Sequence, residues 1–212
     1  MDKGLFITFE GIDGCGKSSM LSFTADWLKQ AGFSCLTTRE PGGSDLGCTF
    51  RAMLLDSCYG SVDCRTETLL YIVDRSRHVE TVIKPALADG RIVLCDRYID
   101  STIAYQGGGR GLDAAALAAF NDFAIRDVYP DLTLLFRLPV EQAMSRLHGD
   151  RDRLEQESVS FFQRVADAYD ELAAKNSQRF AVVDASRRIE EVFIQVKEYI
   201  TVVMREKGLL ND

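Results

Sequence analysis

Chemistry is first legible in the stretch GIDGCGKS, residues 11–18, which satisfies the pattern G-x-x-x-x-G-K-S/T. Glycines at such spacing let backbone N–H groups turn inward around phosphate oxygens, and a helix starting here adds its positive end. In that arrangement Lys17 bridges β- and γ-phosphate oxygens and Ser18 ligates Mg²⁺. The expected nucleotide loop comprises Gly11, Ile12, Asp13, Gly14, Cys15, Gly16, Lys17, Ser18 and Ser19. Asp13 is the unexpected member, because a carboxylate beside a triphosphate is unfavourable unless it serves another partner.

Such a loop alone leaves GTPase, ATPase motor and small-molecule kinase open. The chain has no guanine-reading N-K-x-D, no D-x-x-G outside the loop itself, and no hydrophobic run ending in Asp-Glu. Asp96 and Arg97 instead end the apolar run IVLCD. An Asp-Arg pair where strand ends gather around a nucleotide suits transfer between two bound anions better than hydrolysis.

These residues need a scaffold. LFITFEG, FSCLTTRE, GRIVLCDRY, LTLLFRL and RFAVVDA read as five strands, short apolar runs bounded by turn signals. Helical spacing recurs over 17–31, 46–56, 67–89, 114–126, 140–147, 161–174 and from 189 onward. The glycine-rich QGGGRG separates two of these helices. Strands alternating with helices predict a P-loop NTPase-type α/β sandwich of three layers, a five-stranded parallel sheet with helices on both faces. No repeat or linker divides the 212 residues, so a single domain is expected.

The formal net charge of -7 argues against a nucleic-acid binder held by bulk electrostatics. No leader-like n- and h-region opens the chain and no apolar run approaches a membrane span, which predicts a cytoplasmic protein. The six cysteines show no C-x-x-C pair or metal-ligand spacing, so buried thiols are expected rather than disulfides.

TREPGG after the second strand, DRY after the third, YQGGGRG beyond it and DRLEQES in the charged connector occur in the order seen in bacterial thymidylate kinases. As an ordered set these motifs resemble that family from the phosphate loop to VVDAS, nearly the whole chain. The resemblance implies transfer of the γ-phosphoryl group of ATP to dTMP with Mg²⁺, in a homodimer. Another nucleoside monophosphate or deoxynucleoside kinase is the alternative, and a non-catalytic nucleotide-binding regulator a more distant one.

By the same resemblance Arg39 grips the acceptor phosphate, and Arg97 lies between that phosphate and the transferred group. Asp96 positions Arg97 and helps order the Mg²⁺ shell. Tyr71, Arg75, Ser101, Tyr105 and Gln106 recognise the acceptor base, with Arg75 and Gln106 offering donors to its carbonyl edge; Tyr71 and Arg75 lie four apart, on one helix face. Tyr71 stands where the family usually has Phe. Asp13 faces the acceptor sugar, where it can accept from a 3′-OH. Residue 14 is Gly rather than Arg, which implies the subclass with catalytic arginines in a lid, here about residues 146–157. Arg153 is the best match for that role, then Arg146 and Arg151. The segment around Asp184 to Arg187 is assigned to adenine by its place after the fifth strand.

Overall fold

The computed structural model describes residues 4–60, 62–147 and 152–210. Its centre is β1 (Leu5–Glu10), buried along its whole length, as a strand covered on both faces must be. The other strands are β2 (Cys35–Arg39), β3 (Ile92–Asp96), β4 (Leu132–Arg137) and β5 (Phe180–Asp184). All pairings are parallel and the order is β2-β3-β1-β4-β5. Register aligns Phe9 with Asp96 and Asp96 with Arg39. The carboxyl ends carrying Glu10, Asp96 and Arg39 therefore finish side by side, at the edge where open α/β sheets bind ligands.

Alternation along β1 splits the core. Leu5, Ile7 and Phe9 join a cluster with α1 (Lys17–Gln30), α8 (Val159–Lys175) and α9 (Ile189–Glu206). Phe6 joins Val93 and Cys95 against a second set of helices. That set includes α3 (Cys64–His78), which runs through a π-helical turn (Val79–Ile83) into α4 (Lys84–Ala88), and α6 (Ala114–Ile125). Asp63 caps α3 through the N–H groups of Arg65 and Thr66, satisfying two of the orphan donors at its start. The remaining helices are α2 (Gly47–Leu55), α5 (Ile99–Thr102) and α7 (Val140–Ser145).

Two features depart from expectation. The glycine-rich segment after α5 is a π-helix, Ile103–Gly109, rather than a connector. Its glycines admit α8: a Cβ on Gly108 would lie 2.5 Å from that of Ala168. All six cysteines are free as expected, but only Cys15 and Cys95 are buried, and Cys48 and Cys58 are exposed. No described helix is long and apolar enough to cross a membrane.

Candidate active site

Gly16, the N-cap of helix α1, has a left-handed φ of 93°, and no side chain caps the first turn. The helix therefore presents unpaired N–H groups to the cleft. Lys17 is folded back, donating to the carbonyls of Gly11 (3.0 Å) and Ile12 (2.9 Å), so reaching a triphosphate requires it to exchange these partners. Ser18 Oγ donates to Asp96 Oδ2 at 2.7 Å. Ile12 and Cys15 are buried beneath the loop, and burial pushes the Cys15 thiol up. Ser19 is exposed on the first turn of α1. Gly14 has φ 80°, and a Cβ there would meet the carbonyl oxygen of Ala143 at 2.2 Å. The backbone of α7 thus leaves no room at position 14 for the arginine that this loop lacks.

Asp13 and Arg97 form the centre of the site. Arg97 Nη2 donates to Asp13 Oδ1 and, at 3.0 Å, to the Tyr105 hydroxyl, which itself donates to Asp13 Oδ2 at 2.8 Å. Its Nη1 reaches the Gly11 carbonyl at 3.0 Å, and its guanidinium lies 4.8 Å from the centre of the Tyr105 ring. Burial alone would raise the Asp13 carboxyl, but Arg97 and Lys17 outweigh it and hold it at about 2. Arg97 has φ 70°, a strained conformation for a residue with a side chain. The expectation that Asp96 positions Arg97 is corrected: Asp96 bonds Ser18, and Asp13 is the carboxylate that aims the guanidinium.

Beyond this centre lies a pocket lined by Tyr71, Arg75, Arg97, Ser101, Tyr105 and Gln106, which brings the expected acceptor residues together. Arg75 is 1% exposed. It donates to Glu40 (2.7 Å), Thr102 (2.7 Å), Asn121 (2.6 Å) and the Tyr98 carbonyl (2.9 Å), leaving one of its five N–H groups unpaired among the described residues. Gln106 Nε2 donates to Glu67 Oε1 at 2.8 Å. The carbonyl oxygen and second N–H of its amide have no partner among the described residues, so an acceptor stands beside the donor that was expected. Ser101 Oγ lies 2.6 Å from Glu10 Oε2 and 2.8 Å from the Tyr169 hydroxyl, so it supports the wall of the pocket. Burial raises the Tyr71 hydroxyl, which therefore stays protonated, and it makes no hydrogen bond among the described residues.

Arg39 is exposed at the end of β2, without an ion-pair partner among the described residues, and lines the phosphate cleft with Lys17, Ser18, Asp96 and Arg97. Arg146 lines the same cleft. Arg153 does not: it donates to the Leu54 carbonyl at 2.8 Å and to Glu67 at 2.6 Å. Arg151 lies outside the described residues. Asp184 is occupied by Ser186 and Arg187, closing a turn beyond β5.

Several participants escaped sequence reading. Arg51 lines both the phosphate cleft and the acceptor pocket while donating to the Pro41 carbonyl at 3.1 Å; one arginine on an amphipathic helix carries no signal. Glu40, 4% exposed, accepts from Arg75 and pairs with His78, fixing the loop that follows Arg39. Glu10, fully buried, accepts from Ser101, Tyr169 and the N–H of Tyr98. A charged residue ending a buried apolar strand was a readable signal.

A parallel sheet with a phosphate loop at its switch point, an Asp-Arg centre and a second pocket beside it define a P-loop phosphotransferase. The family model described as "Thymidylate kinase" matches residues 9–196. The thymidylate kinase of Oleidesulfovibrio alaskensis is 47% identical over 205 residues, covering 92% of this chain and 97% of that protein. The thymidylate kinase of Desulfovibrio desulfuricans is 44% identical over 214 residues, covering 96% and 98%. The crystal structure of thymidylate kinase from Ehrlichia chaffeensis superposes with a TM-score of 0.75 at 34% identity, covering 93% of this chain and 99% of that one. The chain belongs to the thymidylate kinase family. Its activity is that of an ATP-dependent phosphotransferase acting on dTMP.

Proposed function

We propose that residues 1–212 form a single nucleoside monophosphate kinase domain in which the phosphate loop holds ATP and the Tyr71–Gln106 pocket holds dTMP. The observation that carries this assignment is the continuity of the two cavities: Asp13, Arg51 and Arg97 line both. A monophosphate lying between them meets Arg39 and Arg97, while its base reaches Arg75 and Gln106. Thymine presents an acceptor at O4 and a donor at N3; the spare Arg75 N–H serves the first and the Gln106 carbonyl oxygen the second. Asp13 has a lone pair left on each oxygen for the sugar hydroxyl.

In the transfer step the acceptor phosphate oxygen attacks the γ-phosphorus of ATP, and the bond to the β–γ bridging oxygen breaks. Arg97, aimed by Asp13, and Lys17 stabilise the charge that spreads over the moving group. Ser18 and Asp96 fit Mg²⁺: their oxygens lie 2.7 Å apart at the cleft. A Mg²⁺ ion held mainly by phosphates and waters needs no larger protein cluster. When bound, it supplies charge neutralisation between the phosphates.

The chain fits the subclass with lid arginines, because Gly14 cannot be replaced and Arg146 lines the cleft. Arg146 is assigned the role that the motif suggested for Arg153. Arg146→Ala is expected to lower kcat at least about tenfold with little change in the KM for dTMP, as for a group acting mainly in the transition state. Unchanged kcat removes Arg146 from the mechanism. The assignment of 184–187 to adenine rests on position alone.

A homodimer is proposed as well. The neighbouring helices α3 and α6 expose Leu69, Val73, Phe120 and Phe123, the last 81% exposed. Free thiols fit a reducing, cytoplasmic setting.

A further inference from the structure

Glu67 belongs to none of the motifs, yet it is completely buried one turn into α3 and is the most heavily bonded carboxylate near the acceptor pocket. Its Oε1 accepts from Gln106 Nε2 (2.8 Å) and Arg110 Nε (3.3 Å). Its Oε2 accepts from Arg110 Nη2 (3.2 Å) and Arg153 Nη2 (2.6 Å). Arg110 continues to Glu157 and lies 4.8 Å from the centre of the Phe161 ring. Two guanidinium groups and two carboxylates thus balance in charge.

The chemistry of the bonding partners sets a direction. A carboxylate only accepts, so the NH₂ end of the Gln106 amide must face Glu67 and the carbonyl oxygen is left for the pocket. That oxygen suits a ring N–H and repels a bare ring nitrogen. Cytosine, with an amino donor and an unprotonated N3, inverts the pattern of thymine. Arg153 is attached to the same carboxylate while its backbone N–H bonds Leu55 at 3.2 Å, so the described part of the lid is anchored at the point that orients Gln106.

We propose that Glu67 is a positioning residue that locks the Gln106 amide in the orientation selecting a pyrimidine with a ring N–H, and couples that selection to the lid through Arg153. The proposal rests on the assignment of this pocket to the acceptor base. Glu67→Gln keeps the size of the side chain but offers donors as well as acceptors, which frees the Gln106 amide to turn over.

The test compares kcat and KM for dTMP and dCMP in the parent, Glu67→Gln, Gln106→Leu and the double variant. Glu67→Gln is expected to reduce the preference for dTMP over dCMP at least about tenfold, mainly by raising the KM for dTMP. In the Gln106→Leu background it should change that ratio less than about twofold, because the two residues act through one link. Proportional losses on both acceptors, or an undiminished effect without Gln106, overturn the positioning role. A parent that does not prefer dTMP overturns the pocket assignment instead. Should Glu67→Gln fail to fold, hydrogen exchange on the parent reads the coupling. Added dTMP is expected to protect backbone amides of 152–157 more than dCMP does at equal occupancy, and equal protection by both overturns it.

Discussion

Arg39 holds a full positive charge at the cleft with no counter-ion among the described residues. An exposed guanidinium on the cleft that has no ion-pair partner of its own is free to meet a bound phosphate. Arg39→Ala should raise the KM for dTMP at least about tenfold with a smaller change in kcat, because the grip proposed for it acts in ground and transition states alike. An unchanged KM in initial-rate kinetics contradicts the role. Asp13 behaves oppositely: paired with Arg97 and held at about 2, its favourable contribution is present above the ordinary carboxylate value and lost only as pH falls through about 2. Throughout the neutral range it stays charged and Arg97 stays aimed. Residue types and spacing made Lys17, Ser18 and Arg97 legible in the sequence, and the resemblance of TREPGG to a known family added Arg39. The partner of Arg97 was not, because Asp96 is adjacent in the chain and Asp13 is 84 positions away.

Helix α3 carries three tasks on one stretch: Tyr71 lines the proposed base pocket with Glu67 bonded to Gln106 behind it, Arg75 lies beneath, and His78 packs against Glu40. Asp74, between them, accepts from the N–H of Gly42, and burial together with the Glu40 carboxylate pushes it up to about 6. A carboxyl raised in the folded state favours folding fully below its ordinary value of 3.8 and loses that contribution as pH rises through about 6. Asp74→Asn should therefore gain stability relative to the parent between pH 4 and pH 7, on the order of 2 kcal/mol. Urea unfolding at both pH values checks this, and a difference that is the same at each contradicts it. Strands and long helices were readable because their hydrophobic periods are strong. The π-helix at 103–109 was not: its glycines read as a break between helices, and the close approach of α8 to Gly108 and Gly109 explains why side chains are excluded there.

At the scale of the whole molecule, strand order brings three separate motifs to one edge, since β2, β3 and β1 are neighbours although β3 comes third in sequence. Apolar spacing predicted the layers but could not separate core from interface on α3 and α6, as both bury or expose the same residue types. Phe123→Glu replaces a side chain already 81% exposed, so it should leave the fold intact and shift a dimer toward monomer in sedimentation velocity. A monomeric parent, or a dimer indifferent to the change, contradicts that interface. The central claim is that the pocket beside the phosphate loop takes dTMP as phosphoryl acceptor. It is tested most directly by ADP release with ATP, Mg²⁺ and each of dTMP, dUMP, dCMP, dGMP and thymidine. The account predicts the highest kcat/KM for dTMP, with dCMP and thymidine at least about a hundredfold lower for want of the N3 donor and the acceptor phosphate respectively. A higher kcat/KM for dUMP, dCMP, dGMP or thymidine than for dTMP would contradict it.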